Sequence, residues 1–219
     1  CHIFDGKLSA KSNSKEHMSE AVKVLKARIL QRLIDTHKMD QCLIFCRTNF
    51  DCDNLESFLN SCGGGGAFRG KVESGKENPY SCVVLGGARS MEERRLKLQA
   101  YKDGDVNYQK YTDVAARGND IKELPYVINM ALPDKSEDYI HRIGRVGRAD
   151  TMGLAISIVA KVEEKVWYCT QKGYKPWLKP SNRDAGTHEQ GGHTSWYNEQ
   201  DSLGQIEKRL GRKIDEMPS

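Results

Sequence analysis

Four short apolar runs recur along this chain, with stretches of helical spacing between them. They are CLIFC (Cys42–Cys46), CVVL (Cys82–Leu85), YVINM (Tyr126–Met130) and LAISIV (Leu154–Val159). CLIFC, bounded by polar residues, suits a strand buried on both faces of a parallel sheet, and the other three runs read as further strands. From His17 to His37 the spacing of Ala21, Val22, Leu25, Ile29, Leu33 and Ile34 is that of an amphipathic helix. Leu55, Phe58 and Leu59 mark a second helix, and Met91–Tyr101 a third. Alternating strands and helices demand right-handed crossovers, so the expected fold class is α/β: three layers, α/β/α, around a mainly parallel sheet. Loops at the carboxyl ends of such strands hold the ligand.

The 219 residues suit one domain of ordinary size plus appendages. A net charge of +4 and a pI near 8.6 are mildly basic, so any argument for nucleic acid has to rest on where the charge lies. Seven cysteines, an odd number with no CxxC pair, lie mostly in apolar runs and read as reduced core residues of an intracellular protein. No apolar run approaches the roughly 18 residues of a membrane span. The start lacks a signal-peptide pattern, and nucleus and cytoplasm are the expected locations, with no membrane partner.

Charge is concentrated in two segments, TDVAARGND (Thr112–Asp120) and HRIGRVGR (His141–Arg148). Arg142, Arg145 and Arg148 recur at i, i+3, i+6, which on a helical segment would keep their guanidinium groups within about a third of the circumference. Clustered like charges cost stability unless an anion answers them, and the planar guanidinium fork matches phosphate oxygens. The two segments together favour polyphosphate chemistry over a solvated basic face.

LIFCRT (Leu43–Thr48), TDVAARGND and HRIGRVGR resemble, in order and separation, motifs IV, V and VI of the DEAD-box RNA helicases. KMDQCLIFCRT, GRADTMGLAIS and WYNE (Trp196–Glu199) are similar to the branch of that family whose first RecA-like domain carries a SPRY insert. The resemblance implies a C-terminal RecA-like domain over 17–172, preceded by a linker at 1–16 from a missing N-terminal domain and followed by a C-terminal extension at 173–219. It implies that Arg145 and Arg148 act as arginine fingers on ATP held by the first RecA-like domain, with Asp120 at the ribose and His141 and Arg142 supporting motif VI. Mg²⁺ and most contacts to ATP would belong to that first domain, because the chain has no complete Walker A motif and no DEAD tetrapeptide. No metal ligand is assigned to this chain, and the fragment alone is expected to be inactive.

RNA contacts implied by the same resemblance fall on Arg47 and Thr48 of motif IV, Arg89 and Arg94 of motif IVa, and Thr112, Asp113, Arg117 and Gly118 of motif V. Contacts of this kind read phosphates and 2′-hydroxyls, so binding should be independent of sequence and weaken with salt. The chain departs from the family pattern in three places. Asn107–Tyr111 is polar where the family has a strongly apolar strand, and is expected to be partly exposed or displaced, since burying an unpaired lysine or amide costs several kcal/mol. Asn119 replaces an aliphatic residue, and Gly86, Ala88 and Met91 stand at altered motif IVa positions. Two decoys are set aside. GGAFRGK (Gly65–Lys71) carries Val72 instead of the Ser or Thr of a phosphate loop and follows a helix, and His188, His193 and Cys169 lack zinc spacing.

Two functions are therefore expected. The first is the second motor domain of an ATP-dependent RNA helicase, with the N-terminal RecA-like domain and RNA as partners and further proteins engaging the extension. The alternative is a catalytically lapsed RNA-binding or scaffold module.

Overall fold

An apolar run without alternation belongs in the middle of a sheet, and strand β1 (Cys42–Phe45) is buried at all its positions. A computed structural model describes residues 14–63, 79–84, 91–102, 108–111, 124–147, 153–168, 174, 178, 181 and 183–217. The chain divides into two compact units, Lys26–Val159 and a second made of Cys1–Leu25 with Ala160–Ser219.

In the first unit, helix α1 (Lys15–His37), whose first turns belong to the second unit, leads into β1. Helix α2 (Asn49–Cys62), β2 (Cys82–Val84), α3 (Met91–Lys102), β3 (Tyr108–Tyr111), β4 (Tyr126–Asn129), α4 (Ser136–Ile143) and β5 (Leu154–Ser157) follow. The sheet runs β2-β3-β1-β4-β5 with every pairing parallel, the α/β arrangement expected. Leu30 and Ile34 of α1 and Cys52, Leu55 and Leu59 of α2 pack with Cys42, Ile44, Ile128 and Ile156 in one core. Each fully buried Leu or Ile there contributes roughly 1.5–3 kcal/mol relative to exposure. Burial also pushes the Cys42 thiol far above its ordinary value, since a thiolate has no place in that core.

Strand β3 shows that Tyr108–Tyr111 is not displaced from the sheet; Asn107 lies outside the described residues. Tyr108–Tyr111 is an interior strand, paired with β1 at Cys42↔Tyr108 and with β2 at Cys82↔Tyr108. A ladder is made by backbone N–H and C=O, which Tyr, Gln and Lys carry as well as Val does, and aromatic residues favour extended backbone. Polarity alone was a poor guide to this strand. β3 ends at Tyr111, and motif V, from Thr112, lies outside the described residues.

The second unit contains β6 (Glu164–Trp167) and β7 (Thr194–Tyr197), an antiparallel pair in which Lys165 faces Trp196, and helix α5 (Glu199–Leu210). The side chain of Asn198 caps α5 by accepting from Gln200 N at 3.0 Å. The Glu199 carboxylate, almost wholly buried, accepts from Ala160 N at 2.8 Å. Ser19 Oγ accepts from the backbone N–H of Lys165 at 2.7 Å, and Lys15 sits over the Trp196 ring at 4.3 Å. His188 meets Tyr168 edge-on, and His193 lies against Tyr174 and Asp184.

Asp184 organises the turn before β7. Its Oδ2 accepts from Ser181 Oγ at 2.7 Å, Tyr174 Oη at 2.8 Å and Ser181 N at 3.0 Å. These donors, the Ser181 hydroxyl first, hold its carboxyl below the ordinary value of 3.8. A depressed carboxylate adds stability that is fully present above the ordinary value and is lost as pH falls through the lowered one. Acidification below pH 3.8 should therefore loosen the 181–194 turn, read as faster amide exchange of His193 and Thr194, and Asp184→Asn should flatten that dependence. Identical acid profiles for the two proteins would rule this out.

Candidate functional site

Three consecutive carbonyls leave the carboxyl end of β4, and each accepts a hydrogen bond from a cationic side chain of a different element. Lys26 Nζ of α1 donates to Met130 O at 3.0 Å. Arg142 Nη1 of α4 donates to Ala131 O at 2.7 Å, and Arg47 Nη2, just past β1, to Leu132 O at 2.8 Å. Neighbouring strands β1 and β4 bring these groups together, and Met130 N also bonds Phe45 O at 2.9 Å.

Arg142 is the most deeply engaged of them. It is 3% exposed, its Nη1 also donates to Asn129 Oδ1 at 3.0 Å, and its guanidinium lies 4.7 Å from the centre of the Phe45 ring. Asn129 in turn donates to Ser157 Oγ at 3.2 Å, and Tyr139 Oη lies 3.4 Å from the same hydroxyl. The chain thus ties β4, β5 and α4 into one polar network inside the core, where each member satisfies another. Arg47 Nη1 forms a 2.6 Å ion pair with Asp134. Thr48 caps α2 in a capping box, accepting from Asp51 N at 3.1 Å while Asp51 Oδ2 accepts from Thr48 N at 3.0 Å.

The expectation of three arginines on one helical face is corrected by the end of α4. Gly144 is the C-cap, Arg145 N bonds Arg142 O at 3.2 Å in the closing turn, and Gly147 has φ 98. The helix ends at Ile143 with Gly144 capping it in right-handed backbone, and the left-handed backbone at Gly147, four residues past the last helical one, suits a residue without Cβ. Arg142 therefore turns into the core, while Arg145 lies in the turn beyond it, half-buried. His141 is exposed in the last turn of α4.

That turn is fastened to the segment before β4. Leu124 N donates to Arg145 O and Gly147 N to Leu124 O, both at 3.0 Å, forming a parallel bridge between Leu124 and Val146. Gly153 closes the third side: a Cβ there would meet Gly147 N at 2.7 Å, Leu124 O at 2.9 Å and the Val146 side chain. Gly153→Ala should cost about 1–3 kcal/mol, since backbone atoms cannot retreat as a side chain can. Denaturant unfolding checks this, and a midpoint equal to wild type would contradict it.

Of the other expected site residues, Arg94 lies on α3. Arg89, Thr112, Asp113, Arg117, Gly118, Asp120 and Arg148 lie outside the described residues, as do Gly65–Lys71 and Cys169. Lys26, Asn129 and Asp134 were missed by the sequence reading. Lys26 had a legible signal: Val22, Lys26 and Leu30 follow one another at four-residue spacing, so a lysine occupies the apolar stripe of α1. Asn129 had a weaker one, as the polar residue within YVINM.

The sequence profile of the helicase conserved C-terminal domain matches residues 25–150. The ATP-dependent RNA helicase DDX1 of Xenopus laevis is 47% identical over 210 residues, covering 94% of this chain and 26% of the relative. The ATP-dependent RNA helicase Ddx1 of Drosophila melanogaster is 45% identical over 209 residues, with the same 94% and 26% coverage. The chain thus spans about a quarter of the length of these relatives. Among solved structures, a DEAD box protein from the hyperthermophile Methanococcus jannaschii superposes with a TM-score of 0.58 at 27% identity, covering 88% of this chain and 39% of that one. The β4 strap, the buried Arg142 and the glycine-ended turn carrying Arg145 all lie within the matched span, and the chain belongs to the helicase conserved C-terminal domain family, with the RecA-like fold of DEAD-box proteins.

Proposed function

We propose that this chain is the second motor domain of an ATP-dependent RNA helicase, which supplies arginine fingers to ATP held by a first RecA-like domain and binds the RNA backbone during unwinding. The observation that carries the reading is the division of labour within HRIGRVGR. Arg142 is consumed by the core, whereas Arg145 lies past the cap at Gly144, half-buried in the turn beyond the helix. Guanidinium groups presented from such a turn suit the charge that develops on a transferring phosphoryl group, which arginine fingers stabilise. The residues assigned to ATP are Asp120, Arg145 and Arg148. Mg²⁺ would be held by the first domain, and no residue of this chain is given to it.

RNA would be met by motif V at the end of β3, with Arg89 and Arg94 on its backbone. Arg47 and Thr48 serve this surface mainly by shaping it, since the one pairs with Asp134 and the other caps α2. That use of Arg47 is also what favours the second reading, an RNA-binding or scaffold module in which catalysis has lapsed. A nuclear and cytoplasmic location, and a SPRY insert upstream, belong to the same proposal.

The deciding experiment is RNA-stimulated ATP hydrolysis by the protein that pairs this chain with its first RecA-like domain, comparing wild type with Arg148→Ala. A large loss supports the fingers, and equal rates remove them. Wild-type protein that binds RNA but hydrolyses no ATP would establish the lapsed module instead.

A further inference from the structure

The strap that follows β4 is irregular backbone whose carbonyls at Met130, Ala131 and Leu132 point to three cations. One of these, Lys26, occupies a position that the apolar stripe of α1 would give to a Leu or Ile, and it is 5% exposed. Placing an ammonium group there is costly unless a hydrogen bond answers it. Part of the answer is a main-chain oxygen, Met130 O, at the residue where β4 stops and the strap begins. Arg142 takes the next oxygen from α4, and Arg47 the one after from the end of β1. The strap is thus gripped at every residue between the sheet and Pro133, and it leads directly into α4, whose far end carries Arg145.

We propose that Lys26 is a positioning residue for phosphoryl transfer: through Met130 O it fixes the start of the strap, and with Arg142 and Arg47 it sets the direction in which α4 presents Arg145. The role rests on the finger reading of Arg145 given above. Lys26 acts through its bond to the backbone at Met130 and is assigned no contact with a reacting atom. Small displacements of a group that works in the transition state lower turnover far more than they weaken binding, with a shift of about 1 Å costing up to about 10²-fold.

The test uses the two-domain helicase, with kcat and KM for ATP measured at saturating RNA for wild type, Lys26→Met, Lys26→Arg and Arg145→Ala, beside each protein's Tm. Lys26→Met should lower kcat about 10-fold with KM for ATP changed less than about twofold, the pattern of a lost transition-state interaction. Lys26→Arg, which restores a donor, should recover most of the lost turnover. A lysine that merely stabilised the fold would lower Tm and leave kcat per folded molecule alone. Unchanged kcat in Lys26→Met alongside a large loss in Arg145→Ala would overturn the positioning role by itself. Unchanged kcat in Arg145→Ala would overturn the finger reading and the positioning role with it. Should Lys26→Met fail to fold, Lys26→Gln, with a shorter donor arm, takes its place: it should fall below Lys26→Arg in kcat, and equality of the two would refute the role.

Discussion

If the proposed function holds, Arg145→Ala should lower RNA-stimulated ATP hydrolysis by the protein that pairs this chain with a first RecA-like domain by about 10³-fold or more, the range in which arginine fingers act. The fold should survive the change. The bonds that anchor this turn are made by main-chain atoms, Arg145 N to Arg142 O and Leu124 N to Arg145 O, and alanine keeps both. A Tm measured beside the rate separates any loss of fold from the loss of turnover. Arg145→Lys should recover little, because an ammonium group keeps the charge but loses the planar fork that matches phosphate oxygens. Single-turnover hydrolysis at saturating ATP and RNA gives the decisive rate. A rate for Arg145→Ala within about threefold of wild type would contradict the assignment, since a finger is worth far more than that.

Arg142→Met should behave in the opposite way, destabilising the domain by about 3 kcal/mol by leaving buried acceptors without their donor. Asn129 Oδ1 and Ala131 O both lose a hydrogen bond from Nη1, and the Phe45 ring loses the cation over it. For a chain of this size that loss corresponds to a fall in Tm of roughly 6–12 °C. Asn129→Leu attacks the same network from its other end, removing an acceptor from Arg142 and a donor from Ser157. The single costs should not add: because the residues share one network, the double variant should be more stable than the sum of the two losses implies. Urea unfolding of the four proteins measures the coupling. Strict additivity would mean that Arg142 and Asn129 are held independently.

The two arginines stand three residues apart in one motif, yet they do different things, and sequence spacing cannot separate them. An i, i+3 relation puts two side chains on one face only while the helix continues, and Gly144 ends it between them. The glycines that break the pattern were visible, but the φ of 98 at Gly147 follows from tertiary bonds to Leu124. Tyr108–Tyr111 teaches the complementary lesson. Its side chains looked wrong for an interior strand, and two neighbouring ladders placed it there regardless. Strands β6 and β7 escaped notice because each is four residues long with mixed polarity, and a pair so separated in sequence leaves no local periodicity to find.

Local composition by itself determined the parallel sheet's apolar strands and their helices, because a strand buried on both faces, as β1 is, demands an unbroken hydrophobic run and one-sided burial demands a helical period. Motif chemistry likewise singled out the arginines. Only the tertiary structure decided which arginine is interior and which lies in the turn, that Lys26 grips Met130, and that Arg47 answers Asp134. The acceptors of Lys26 and Arg47 are contributed by residues 85 to 104 positions away in the chain, and those bonds exist only after the sheet has brought β1 and β4 side by side, whereas Arg142 finds its acceptors 11 and 13 positions back, where α4 folds over the end of β4.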